Sequence, residues 1–93
     1  MPAESQRADD ATKWAALIAA VAKSRDRAAF AALFEHFAPR VKTFMRRSGA
    51  SDASADELAQ ETLLAVWRKA PLFDPSSAGA SSWIFHHRAQ SAH

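Results

Sequence analysis

An all-α fold, a small bundle of three to four helices, is predicted by three features of the sequence. The chain has 23 alanines among 93 residues but only two glycines. Alanine is the strongest helix former and glycine nearly the weakest. Apolar residues recur at i, i+3, i+4 and i+7 through long segments, as in helices with one buried face. The breakers Gly49 and Pro71 fall where those patterns stop, which divides the chain into separate helices. Ninety-three residues make one small domain, and a chain of this size buries only about 60–65% of its unfolded surface. Hydrophobic residues make up 48% and charged residues 24%, which argues for a folded chain and against disorder.

The elements follow in order. Residues 1–10 are polar and predicted to be disordered, with the folded domain spanning 11–85. The first helix covers about Asp10 to Lys23, with Trp14, Leu17, Ile18 and Val21 on one face. Asp10 or Thr12 can cap it. The second opens at Asp26 and keeps Phe30, Leu33, Phe34, Phe37, Val41, Phe44 and Met45 in one helical phase. Pro39 lies inside this run and is expected to kink the helix or split it in two, and Gly49 ends it. In the third helix, Ser54-Ala55-Asp56-Glu57 reads as a capping box with Ser54 as N-cap. That helix runs to Ala70, before Pro71. Its apolar stripe is Ala55, Leu58, Ala59, Thr62, Leu63, Val66, Trp67 and Ala70. Glu57, Gln60, Glu61, Leu64 and Arg68 lie opposite, with Leu64 at the centre of the polar face. Pro71 to Ser82 is a loop. Ser81 or Ser82 caps a last helix that begins at Trp83-Ile84-Phe85 and barely starts, because His86 to His93 show no apolar periodicity. The expected core is Trp14, Leu17, Ile18, Phe30, Leu33, Phe34, Phe37, Val41, Phe44, Leu58, Val66 and Trp67.

Several function classes are excluded or disfavoured. Without cysteine there is no disulfide scaffold, thiolate nucleophile or cysteine-ligated metal. There is no nucleophile elbow, glycine-rich phosphate loop or H-E-x-x-H motif, so no enzyme is expected. Adjacent His86 and His87 point about 100° apart on a helix and chelate poorly. With His93 they read as a solvated tail, and His36 reads as a boundary residue. The longest apolar run, Trp14 to Ala22, is far shorter than the about 20 residues of a membrane helix. Acidic residues precede it, unlike a signal peptide, so the chain reads as cytoplasmic.

Three features carry chemistry. Leu64, ringed by Glu57, Gln60, Glu61 and Arg68, suits a partner surface with an apolar anchor and a polar rim. A lone exposed leucine is also ordinary. Arg40, Lys42, Arg46 and Arg47 form a basic cluster that can meet phosphates or simply be solvated. Phe73-Asp74-Pro75, Ser76, Ser77 and then Trp83 set aromatics beside a polar loop, able to stack on unpaired bases or to anchor the last helix.

Together these residues resemble region 2 of bacterial sigma factors of the extracytoplasmic-function (ECF) type. Asp26-Arg27-Ala28-Ala29-Phe30-Ala31-Ala32-Leu33-Phe34 is similar to the family's opening helix. Phe37-Ala38-Pro39-Arg40-Val41-Lys42 followed by Arg46 is similar to its continuation. Ala55-Asp56-Glu57-Leu58-Ala59-Gln60-Glu61-Thr62-Leu63-Leu64-Ala65-Val66-Trp67 resembles its most characteristic stretch. Phe73-Asp74-Pro75 and Trp83-Ile84-Phe85 resemble the loop and the start of the promoter-melting helix. The resemblance covers about Lys13 to Phe85.

The resemblance implies docking on the coiled coil of the largest subunit of core RNA polymerase through Glu57, Gln60, Glu61, Leu64 and Arg68. It implies that Phe73, Asp74, Ser76, Ser77 and Trp83 receive a base flipped from the −10 element of promoter DNA. The flip costs a few kcal/mol of stacking that the pocket must offset. Arg40, Lys42, Arg46 and Arg47 would contact phosphates. An anti-sigma factor is an implied partner; no cofactor, metal or membrane is. Past Phe85 the resemblance ends, and 86–93 reads as a non-family tail on a C-terminally truncated chain, whose core would lose the cover of the last helix. Back-translated and read one base later, the codons of His86 to His93 can spell Thr/Ile-Ile-Ala-Arg-Asn, the family's continuation. This predicts a frameshift near Phe85, which the gene sequence decides. The competing expectation is a module that binds polymerase or an anti-sigma factor without initiating transcription.

Overall fold

The computed structural model describes the backbone of residues 3–91 and the side chains of residues 10–88. Four α-helices follow one another: α1 (Ala3–Ser24), α2 (Arg27–Arg47), α3 (Asp52–Lys69) and α4 (Ala80–Ser91). A 3-10 turn at Ala70–Leu72 leaves α3, with Pro71 in its first residues. No strand occurs among the described residues. α2 packs along α3, α4 closes the far side of α3, and α1 lies across α2, α4 and the 3-10 turn.

α1 begins at Ala3, well before the expected Asp10. Ala3, Glu4, Gln6, Arg7 and Ala8 all have good helix propensity, and no glycine interrupts them. The turn into α2 puts Arg25 at φ 52°, a left-handed conformation uncommon outside glycine and asparagine. Its guanidinium donates to the Trp67 carbonyl and lies 5.4 Å from the Trp67 ring centroid, which ties the turn to the end of α3. Asp26 caps α2, its Oδ1 accepting from the Ala29 N–H at 3.0 Å.

α2 does not split at Pro39; it is one helix from Arg27 to Arg47. Pro39 and Glu35, whose carbonyl loses its helical donor, are both exposed to water. Phe37 and Val41 on either side are buried and hold the helix across the gap. The end of α2 is a Schellman motif. The Gly49 N–H donates to Arg46 O and the Ala50 N–H to Met45 O, both at 3.0 Å. Gly49 takes φ 109° there, which glycine adopts without strain.

α3 starts one turn earlier than the capping-box reading. Its N-cap is Ser51, whose Oγ accepts from the Ser54 N–H at 3.1 Å. The extra turn brings Asp52 to 3.6 Å from Lys42 Nζ and 3.5 Å from Arg46 on α2, contacts that a local sequence pattern does not contain. The rotational phase is as expected: Ala55, Ala59, Thr62, Leu63, Val66 and Ala70 are buried. The Thr62 hydroxyl is satisfied by donating to the Leu58 carbonyl at 2.7 Å.

The core joins Ile18 and Val21 of α1 to Ala29, Leu33 and Phe37 of α2, Leu63 and Val66 of α3, and Ile84 of α4. Trp14, Leu17, Phe30, Phe34 and Trp67 pack around it, half-buried. Trp14 stacks on His36 at 4.2 Å, and burial, followed by the Arg40 charge, lowers the His36 pKa. Leu58, expected in the core, is half-buried and outside the core cluster, and two further expectations change. Phe44 is 41% exposed, with Phe85 and Arg88 of α4 beside its ring. The second change is in α4, which starts at Ala80, where the Trp83 N–H donates to Gly79 O at 3.0 Å, so Ser81 and Ser82 are not its cap. It runs to Ser91 instead of stopping near Phe85. Ile84 is fully buried and His87 is 5% exposed, with Trp83 edge-on to His87 at 4.5 Å. The core therefore keeps its cover. His93 lies outside the described residues.

Ile84→Ala is expected to cost about 2–5 kcal/mol, as for other fully buried isoleucines. In thermal denaturation followed by circular dichroism, this lowers the midpoint by roughly 10 °C or more. An unchanged midpoint would mean that α4 contributes nothing to the core.

Candidate functional site

Three surfaces carry the residues of interest, and the first and third adjoin where Lys42 and Gln60 line one groove. The first is the outward face of α3. Burial of the opposite stripe leaves Glu57, Gln60, Glu61, Leu64 and Arg68 exposed, with Leu64 at 50%. Gln60 donates from Nε2 to Asp56 Oδ2 at 3.1 Å, one turn back, which orients the amide at the edge of the face. Beside it is a groove of about 450 Å³ between α2 and α3, lined by Phe34, Ala38, Pro39, Ala59 and Gln60 among others. The sequence reading missed this groove by assigning Phe34 wholly to the core. Helical phase puts Phe34 one residue after buried Leu33, at the edge of the stripe, and that was the available signal.

The second surface is the segment between the 3-10 turn and α4. Asp74 organises it: Oδ1 accepts from the Ser76 N–H at 2.9 Å and from Ser76 Oγ at 2.7 Å. Oδ2 accepts from Ser77 Oγ at 3.0 Å. These bonds lower the Asp74 pKa below its ordinary 3.8, the Ser76 side chain contributing most. Phe73 and Trp83 sit with ring centroids 5.1 Å apart, half-buried against the core. They anchor the loop and α4. Leu72 is 74% exposed, an apolar side chain at the loop entrance that the sequence reading did not single out.

The third surface is the basic cluster, which the structure divides. Lys42 pairs with Asp52 and Asp56, at 3.6 and 3.8 Å, and Arg46 pairs with Asp52. These two cations are engaged by α3, and as exposed or partly exposed pairs they add little stability. Arg40 donates to its own helix, at His36 O, and Arg47 is exposed beside Thr43. Among the described residues, no three His, Asp or Glu side chains converge as a metal site would require. No helix of the described residues is long and apolar enough to cross a membrane.

A model of sigma-70 region 2 matches residues 33–90. The chain belongs to the sigma-70 region 2 family. The match begins in α2, takes in all of α3 and the loop, and runs past Phe85 into α4. The family is not an enzyme class. Among relatives, the ECF RNA polymerase sigma factor RpoE of Cereibacter sphaeroides is 53% identical over 76 residues, 82% of this chain and 42% of that protein. The ECF RNA polymerase sigma factor SigK of Mycolicibacterium vanbaalenii is 38% identical over 77 residues, 80% of this chain and 39% of that protein. The chain thus spans about two fifths of the length of these relatives. The crystal structure of Rhodobacter sphaeroides SigE in complex with the anti-sigma ChrR superposes with a TM-score of 0.82 at 50% identity. That superposition covers 86% of this chain and 50% of the other.

The region 2 loop has a measurable electrostatic signature. The folded pKa of Asp74 is depressed, so its contribution to loop order is present above the usual value of 3.8 and is lost as pH falls through the folded value. Carboxyl NMR titration is expected to give a pKa below 3.8, and Ser76→Ala with Ser77→Ala is expected to return it towards 3.8. An ordinary titration in the parent chain contradicts the hydrogen-bond arrangement.

Proposed function

We propose that the chain acts in transcription initiation as region 2 of an ECF-type sigma factor, in the cytoplasm. Its α3 face docks on the coiled coil of the largest subunit of core RNA polymerase. The observation that carries this reading is the exposed Leu64 at the centre of Glu57, Gln60, Glu61 and Arg68, on a helix inside the family match. An apolar anchor with a polar rim is what a specific interface uses. The loop of Phe73, Asp74, Ser76 and Ser77, with Trp83 at its far end, takes a base extruded from the nontemplate strand of the −10 element. Contacts of the base with the exposed parts of Phe73 and Trp83 offset part of the lost base stacking. The geometry supports a loop already folded around Asp74, with hydroxyls that would exchange their bonds to the carboxylate for bonds to the base or sugar. No bond of the DNA is made or broken.

A second reading is favoured by one observation: the similar SigE was crystallised with the anti-sigma ChrR. In that reading the chain binds polymerase or an anti-sigma factor and does not initiate. Run-off transcription with core enzyme separates the two, because only the first yields a promoter-dependent product.

In either reading Gln60→Ala with Glu61→Ala is expected to weaken core binding about 5- to 30-fold, the loss of one or two interface contacts. Both side chains are exposed, so the fold is kept. Fluorescence titration against core polymerase measures the loss, and unaltered affinity rules out this face as the docking surface.

A further inference from the structure

Arg25, in the turn between α1 and α2, holds a backbone conformation that its side chain does not favour. Its φ is 52°, a left-handed setting that glycine adopts without strain and arginine does not. What arginine adds at this position is its guanidinium. That group donates to the Trp67 carbonyl, 42 residues away near the end of α3, and lies 5.4 Å from the Trp67 ring centroid. The same ring meets Phe30 of α2 edge-on at 5.2 Å. The acceptor is a particular one. In an α-helix the carbonyl of residue i accepts from the N–H of residue i+4. For Trp67 that residue is Pro71, which has no N–H. Arg25 supplies the donor that Pro71 lacks, and its charge sits at the negative end of the α3 dipole. The tie is made where the chain leaves α3 for the 3-10 turn at Ala70–Leu72. The Phe73 N–H closes that turn by donating to Ala70 O at 3.0 Å, and the Phe73 ring packs on Trp83 of α4. Ala22 and Lys23 of α1 line one groove with Pro71 and Phe73, so the end of α1 and the start of the loop are neighbours.

We propose that Arg25 is a positioning residue for the loop after α3, fixing where that helix ends and so where Phe73 and Asp74 stand against α4. Its functional consequence rests on the reading that this loop takes the extruded base. Arg25 touches no base itself. The bonds of Asp74 to Ser76 and Ser77 shape the loop from within, but they are local and do not fix it on the body of the protein. That is done at the two ends of the loop, by the contact of Phe73 with Trp83 and by the tie of Arg25 to Trp67. Gln60, Glu61 and Leu64 lie about one to two turns before Trp67, on the stretch of α3 set by the buried Leu63 and Val66. Their placement therefore does not need Arg25.

The test joins amide hydrogen exchange of the full chain, followed by NMR, to run-off transcription with core polymerase. Arg25→Gly removes the guanidinium and suits the φ of 52°, so the chain folds. It is expected to speed exchange of the Phe73 N–H about 3- to 10-fold, the range for loss of one hydrogen bond. The Leu63 and Val66 amides in the core are expected to exchange as in the parent. Pro71→Ala returns an N–H at the position that can serve Trp67. In that background Arg25→Gly is expected to change Phe73 exchange by less than about 2-fold, the size of ordinary non-additivity. In transcription, Arg25→Gly is expected to lower the promoter-dependent product about 3- to 10-fold at parental affinity for core polymerase; general destabilisation would lower both together. Parental exchange at Phe73 in Arg25→Gly overturns the proposal, and so does an equal effect of Arg25→Gly with Pro71 in place and with Pro71→Ala. Parental product from Arg25→Gly, or product lost in proportion to core affinity, overturns it too. If the parent itself yields no product, the −10 reading fails, and the exchange of the Phe73 N–H alone decides whether Arg25 positions the loop.

Discussion

The rotational setting of α3 is the constraint on which the rest of the molecule depends. Ala55, Ala59, Thr62, Leu63, Val66 and Ala70 are all turned inward, against α2 on one side and α4 on the other. A helix repeats every 3.6 residues, so burying this stripe leaves no freedom in what the opposite face presents. Leu64 and its polar surround are exposed because Leu63 is not. A rotation that sheltered Leu64 would expose Leu63 and Val66, at about 1.5–3 kcal/mol for each large aliphatic side chain. The exposed face of α3 is thus held in register by the core.

The same helix coordinates the other surfaces. Its first turn reaches back to Lys42 and Arg46 through Asp52 and Asp56, which removes those cations from the basic cluster and leaves Arg40 and Arg47 on the side facing α4. Its last turn is tied to the α1–α2 connection by Arg25, which holds the Trp67 carbonyl. Beyond that point the 3-10 turn and Pro71 redirect the chain into the loop organised by Asp74. α4 then separates two aromatic clusters, Trp83 with Phe73 on one side and Phe85 with Phe44 on the other. One short helix therefore borders both the loop organised by Asp74 and the groove lined by Phe44.

Much of this was legible in the residues. Periodicity alone located α2 and α3 and separated the buried stripe of α3 from its exposed face, because burial of apolar area dominates the choice of helix phase. The misses share a cause, which is that tertiary contacts outweighed local signals. Ser54 and Glu57 have the spacing of a capping box, yet Ser51 caps α3, where the longer helix gains Asp52 as a partner for Lys42 and Arg46. Pro39 is a helix breaker in isolation, but buried Phe37 and Val41 carry α2 through it. Phe44 continues the apolar phase of α2 and is still exposed, since periodicity shows which face a residue is on and not what packs against it. His86 to Ser91 lack apolar periodicity and are helical nevertheless, with His87 buried beside Trp83.

The proposed partner surface is the face of α3 that its core packing turns outward. The most direct test is site-specific photocrosslinking to core RNA polymerase from position 64, with position 31 on the exposed side of α2 as the reference. The account predicts that a photoreactive residue in place of Leu64 captures the largest subunit and that one in place of Ala31 does not. Capture from position 31 with none from position 64 would contradict it.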